Sequence, residues 1–116
     1  MNMMSRSAGK PDRNVRERVT FHRSELNQIL QVYGRMVAAG EWKDYGISHL
    51  RDAAVFCVFR SATEIPLYRI EKRPGAQARQ GMYSVVALDG RVLRRGPDLA
   101  GVLRVFERKP IRLVRG

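Results

Sequence analysis

The chain has little of what metal and thiol chemistry requires. Its 116 residues include one cysteine, Cys57, and two histidines, His22 and His49. A single cysteine excludes an internal disulfide, and these three residues fit none of the usual zinc-ligand spacings. Cys57 lies inside the apolar run AAVFCVF, where a cysteine serves as a small hydrophobe. Phosphate-cradling loops of the GxxxxGK(S/T) and GxGxxG kinds are missing. Gly81, Gly90, Gly96 and Gly101 read instead as turn or packing glycines. Glu41 and Asp44 form an acid pair, but nothing nearby raises either carboxyl toward general-acid duty. They read as ion partners of Lys43, Arg35 or Arg51. No catalytic residue, metal or cofactor is expected, and the chain reads as a non-enzyme. Long apolar runs are missing too: none approaches the roughly 20 residues that span a bilayer. Met1 to Lys10 lacks the apolar core of a secretory leader. The expectation is a cytoplasmic protein.

What the chain has in excess is positive charge. Lys and Arg number 22 against 11 Asp and Glu, a net charge of +11. Residues 1–23 carry six basic and two acidic side chains, residues 24–63 four of each, and residues 64–116 twelve and five. A neutral middle between two basic ends predicts a localised basic surface, which attracts polyanions: nucleic acid, anionic lipid or an acidic protein. Arginine dominates the last segment, and its planar fork grips phosphate and stacks on bases. The candidate phosphate contacts are Lys72, Arg73, Arg79, Arg91, Arg94, Arg95, Arg108 and Lys109. Tyr68 and Tyr83, on neighbouring strands, are candidates for base stacking.

The hydrophobic pattern predicts one α+β domain over residues 15–116, after a disordered basic tail at 1–14. A short strand is expected at 18–22. Leu26, Ile29, Leu30, Tyr33, Met36 and Val37 then recur at helical spacing, predicting a helix over 24–39 that starts at Ser24 and stops at Gly40. GEWKDYG reads as a connection. Its Trp42, with Tyr45, is either a partner-binding anchor or a lid folded onto the core. Apolar runs at 53–59, 64–72, 82–88 and 91–94 predict strands, the last two joined at Asp89-Gly90 by a two-residue hairpin. Gly96-Pro97-Asp98 opens a second helix that Pro110 stops. Residues 111–114 suggest a last strand. The sum is an antiparallel β-meander of about four strands with two amphipathic helices.

Helix, three strands and helix is also the element order of double-stranded-RNA-binding domains. Those domains carry a lysine cluster where this chain has Asp98, and a histidine-bearing loop where it has Ser61-Ala62-Thr63. No residue is carried over from them. A closer likeness lies in the segments VTFHRSELNQIL, VYGRMVAAGEWKDYGI, FRSATEIPLYRIEKRPG, QGMYSVVALDGRVLRRGPDL and VLRVFERK. They resemble a small alphaproteobacterial family catalogued as a domain of unknown function, over about residues 18–114. The resemblance implies a bacterial protein and implies no activity or site residues. The expected function is therefore non-enzymatic binding of an anionic partner, nucleic acid or ribonucleoprotein. The alternative is a protein-interaction or regulatory adaptor working through Trp42 and Tyr45. A homodimer on a strand edge, at 64–70 or 111–114, is compatible with either.

Overall fold

The apolar stripe from Leu26 to Met36 lies on one helix, α1 (Arg23–Ala38), in the computed structural model, which describes residues 18–60, 65–76 and 81–107. The tail at 1–14, the turn Ser61-Ala62-Thr63 and the strand expected at 111–114 fall outside the described residues. The helix begins at Arg23, one residue earlier than expected. His22 is the N-cap, and Glu25, three residues on, accepts the His22 N–H at 2.7 Å. A carboxylate there also complements the helix dipole. The C-terminus is a Schellman motif: Gly40, at φ +80°, donates to the Val37 carbonyl and Glu41 to that of Met36. Glycine takes that conformation without a Cβ penalty. Gly34, within the helix, would meet nothing within 4 Å if it carried a Cβ, so it is tolerated rather than required.

Five strands follow: β1 (Asp44–His49), β2 (Ala54–Phe59), β3 (Tyr68–Lys72), β4 (Tyr83–Ala87) and β5 (Val92–Gly96). They pair antiparallel in chain order. The expected α+β meander is present, with five strands rather than about four. The extra strand is β1, which the sequence reading placed partly in a connection. Residues 18–22 form no strand; Val19 instead donates to the Leu50 carbonyl. Strand β3 starts beyond Pro66, at Tyr68, and is central rather than an edge. The β4–β5 hairpin has three loop residues, not two. Gly90, at φ +90°, donates to Ala87, whose own N–H bonds the Arg91 carbonyl. Residue Leu93 is the extra residue of a bulge between the 85↔94 and 86↔92 pairs, which turns the strand.

Asp98 caps α2 (Leu99–Leu103), its side chain accepting the Gly101 N–H. The expected longer helix tightens after Leu103 into a 3-10 turn, Arg104–Phe106. Positions three apart eclipse in that geometry, so Phe106 stays on the core side. It meets Trp42 edge-on at 4.9 Å and Tyr68 at 5.1 Å. With five strands between the helices, the element order departs from that of the double-stranded-RNA-binding domains.

Both helices pack on one face of the sheet. Ile29 and Val32 of α1 and Leu99, Val102 and Leu103 of α2 join Ala54, Phe56, Val58, Ile70, Tyr83 and Val85 in one cluster. The strand residues in it alternate, as a single buried face requires. Inside this layer lies a charged group. Glu25 accepts hydrogen bonds from Lys72 Nζ at 2.9 Å and from the Tyr83 hydroxyl, and Lys72 also donates to the Thr20 carbonyl. All three side chains are buried. The network ties α1 and the segment before it to β3 and β4, and it satisfies each buried polar atom it brings in. Burial pushes the Glu25 carboxyl up. The bonds from Tyr83, Lys72 and the His22 N–H outweigh this and hold it below the ordinary value of 4.5. Burial, and then the bond to Glu25, pushes Tyr83 above its ordinary 10.0.

Three predictions follow from this packing. Trp42→Ala removes a side chain that is 2% exposed and should destabilise the fold by about 3–5 kcal/mol in denaturant unfolding. The glycines should split. Gly34→Ala should stabilise by about 0.5–1 kcal/mol, whereas Gly81→Ala, at φ +90° with its Cβ 2.1 Å from the Gly96 carbonyl carbon, should destabilise strongly. The buried network sets a pH window. The contribution of Glu25 is complete above its unfolded pKa and is lost as pH falls through the lower folded value. That of Tyr83 is complete below pH 10 and is lost above it. Unfolding titrations should therefore show both limbs flattened in Glu25→Gln, which should itself cost about 3–5 kcal/mol by leaving Lys72 buried and unpaired.

Candidate functional site on the open face of the sheet

Side chains alternate along a strand, and the alternation sorts the basic residues into three groups. Lys72 points with Ile70 into the helix-covered face, where it is 5% exposed and paired with Glu25. It is a core residue and has no surface for a phosphate. Arg94, paired with Val85 in register, also points to the helix side and donates to the Gly101 carbonyl at 3.0 Å. Arg73 and Arg95 lie on the opposite face, to which no described helix contributes. Arg91 sits at the hairpin turn, 3.7 Å from Asp89 and largely exposed. Arg79, Arg108 and Lys109 lie outside the described residues. The eight candidates therefore do not form one surface.

The open face has its own order. Across the middle of the sheet the register aligns Ser48, Val55, Glu71, Ser84 and Arg95, and next to that row Gly46, Cys57, Arg69 and Val86. Arg69 was not singled out from the sequence. Arg69 Nε donates to Glu71 Oε2 at 3.0 Å and Arg73 Nε to Glu71 Oε1 at 3.1 Å. Each carboxylate oxygen thus takes one guanidinium, and Glu71 is itself buried. Val55 and Val86 are buried as well, although neither belongs to the core cluster. Arginine stems lie well over such apolar strand positions while their heads reach water. Two arginines, Arg69 and Arg73, bracket the buried carboxylate, and Arg95 lies two strands away on the same face.

At one end of this face Arg73 reaches a cleft of about 360 Å³ lined by Val19, Arg51, Asp52 and residues 73–76. Asp52 Oδ2 lies 3.5 Å from Arg73 Nη1, and the Asp52 side chain is 79% exposed. An exposed pair of this kind holds by less than about 1 kcal/mol, so a phosphate can take the place of the carboxylate. The outer N–H groups of Arg73 are available to an incoming anion in a way that those facing Glu71 are not.

The stacking and anchor residues move to new roles. The hydroxyl of Tyr83 bonds Glu25, and Tyr68 packs against Trp42 and Phe106. Both tyrosines face the helices, away from the open face. Phe59, half-buried and on the same face as Cys57, is the aromatic ring of the open side. Trp42 is the lid over the core, with Tyr33, Tyr68 and Phe106 around it, so it is not a surface anchor. Tyr45 remains 42% exposed, stacked on Phe56 at 4.8 Å.

The remaining chemistry is quiet. Burial raises the Cys57 thiol above its ordinary 9.0, against the pull of Arg69, so it stays protonated at neutral pH. Glu41 lies 3.8 Å from Arg60, while Asp44 accepts the Tyr45 N–H. Among the described residues no group of three or more His, Cys, Asp or Glu is placed to hold a metal ion, and no helix is long and apolar enough to cross a membrane.

No curated protein and no solved structure matches the chain. A family match does cover residues 19–103, taking in both helices and all five strands. The chain belongs to the family described as protein of unknown function, DUF2794.

Proposed function

We propose that this protein is a non-enzymatic nucleic-acid-binding module that works through the open face of its sheet. One observation carries the reading: Arg69, Arg73 and Arg95 stand on the face opposite both helices, the first two bonded to one buried carboxylate and Arg95 two strands away in the same register row. Glu71 orients two of the guanidinium groups and leaves the face net positive. The rest of the chain adds to the field, with an overall charge of +11. Arg51 at the end cleft and Arg91 at the hairpin extend the positive surface beyond the strands. Phe59 supplies one ring for a base.

In this mechanism the arginines contact phosphates, and binding releases condensed counterions. Affinity is then steep in salt and weak in sequence preference. The β1 side of the open face carries the short side chains Gly46 and Ser48. An extended single strand can approach such a surface closely. Site residues on the helix side, Lys72 and Arg94, take no part.

The test is a fluorescence-anisotropy titration with a generic single-stranded oligonucleotide across a salt series. The expected slope of log K against log salt corresponds to about three phosphate contacts, each adding about 0.7. Arg69→Ala with Arg73→Ala and Arg95→Ala should abolish most of the binding and flatten the slope. Arg35→Ala with Arg104→Ala, which removes two exposed charges on the helices, should change it little. Lack of binding by the native chain at low salt, or equal losses in the two sets, would overturn the proposal.

A further inference from the structure

Strand β1 is the outer strand of the sheet, and its far edge pairs with nothing among the described residues. The direction of each backbone group on that edge follows from the inner pairing. Leu50 donates to the Ala53 carbonyl and Lys43 to that of Phe59. The odd-numbered residues of β2 therefore face β1, and their register partners Asp44, Gly46 and Ser48 face inward. Tyr45, Ile47 and His49 direct their N–H and C=O groups outward. Two of those six groups are already taken. Asp44 Oδ1 accepts the Tyr45 N–H at 2.9 Å, and Arg18 Nη1 donates to the His49 carbonyl at 2.9 Å. The Tyr45 carbonyl, the Ile47 N–H and carbonyl, and the His49 N–H remain.

This pattern is complementary to itself. In an antiparallel pairing that sets Ile47 opposite Ile47 of another copy, the two Ile47 residues exchange both bonds. His49 of each copy then faces Tyr45 of the other, and its N–H meets the open Tyr45 carbonyl. The Tyr45 N–H and His49 carbonyl, which would face each other, are the two groups already capped. Their caps carry opposite charge, so Arg18 of one copy comes against Asp44 of the other, twice. We infer that the open edge of β1 binds a second copy of this chain, antiparallel and centred on Ile47, joining two five-stranded sheets into one of ten.

The side chains around the edge fit the same occupant. Tyr45 and Ile47 lie on the helix side. Tyr33 of α1 meets Tyr45 at 4.9 Å, and Leu30 and Val37 share that flank of the helix. Leu30, Val37, Tyr45 and Ile47 are each 37–42% exposed. A two-fold axis through Ile47, normal to the sheet, brings both copies of this flank to the same side of the joint. Self-association of a chain with charge +11 needs a neutral meeting surface, and residues 23–59, from the start of α1 to the end of β2, carry four charges of each sign. The edge lacks the lysines and prolines that keep exposed strands apart. This inference stands apart from the nucleic-acid reading, since the arginine face is untouched by it.

The experiment is light scattering coupled to size exclusion on the full chain, with circular dichroism as the check on folding. The native protein is expected at twice its 13.3 kDa chain mass. Ile47→Pro removes an outward N–H without breaking the inner ladder and should run as a folded monomer. Arg18→Glu and Asp44→Lys should each weaken the dimer, and the double swap should restore it. A native monomer at every concentration would overturn the inference. So would a dimer that persists in Ile47→Pro and in both single charge variants. If Ile47→Pro fails to fold, the charge swap decides alone: rescue supports the pairing, and its failure rejects it.

Discussion

Two helices totalling twenty-one residues can cover one face of a five-stranded sheet and no more. No described helix covers the other face, yet Val55, Glu71, Ser84 and Val86 on it are buried. Glu71 there is bonded to Arg69 on β3 and to Arg73 just past its end. A row of alternating Arg-Glu-Arg along a strand places all three on one side, because the side-chain period is two. The chemical character of the open face is thus a consequence of how the apolar residues are rationed. The core takes the even positions of β2, and the arginines of β3 take what is left.

The buried Glu25 network solves a related difficulty on the covered side. Lys72 falls on the helix face by the same alternation that puts Arg73 on the open one. A buried ammonium needs a carboxylate, and Glu25, in the first turn of α1, supplies it at 2.9 Å. The same carboxylate caps the helix and holds the Tyr83 hydroxyl. One acidic side chain therefore fixes where α1 starts and against which two strands it lies. Replacing such a group by an apolar one of equal size can be nearly neutral. Its worth here lies in register, since a shift of one residue in β3 would bury Arg73 or Glu71 in place of Lys72.

Much of this was legible in the sequence. The helical spacing from Leu26 to Met36 located α1 to within a residue at each end, and Gly40 marked its stop. The apolar runs located β2 through β5, and Pro97-Asp98 located the start of α2. Strand β1 was not legible, because DYGISH carries a glycine, the polar Asp44, Ser48 and His49, and no apolar run. Its place is set by pairing with β2 rather than by its own propensity. Trp42 was readable as either lid or anchor, and the aromatic ring contacts decide for the lid. The basic set was less legible than its charge suggested. Adjacent residues such as Lys72 and Arg73, or Arg94 and Arg95, were grouped by nearness in sequence, whereas alternation divides each pair between two faces. The same rule, applied along β3, points to Arg69 as the companion of Arg73.

The proposed function requires that the open face, and not the helix side, meet the polyanion. The most direct measurement is a backbone-amide NMR titration of the full chain with a short single-stranded oligonucleotide. Shifts concentrated at Cys57, Arg69, Glu71, Arg73 and Arg95, with α1 undisturbed, are what the account predicts. Shifts concentrated on α1 and α2, or none at low ionic strength, would contradict it.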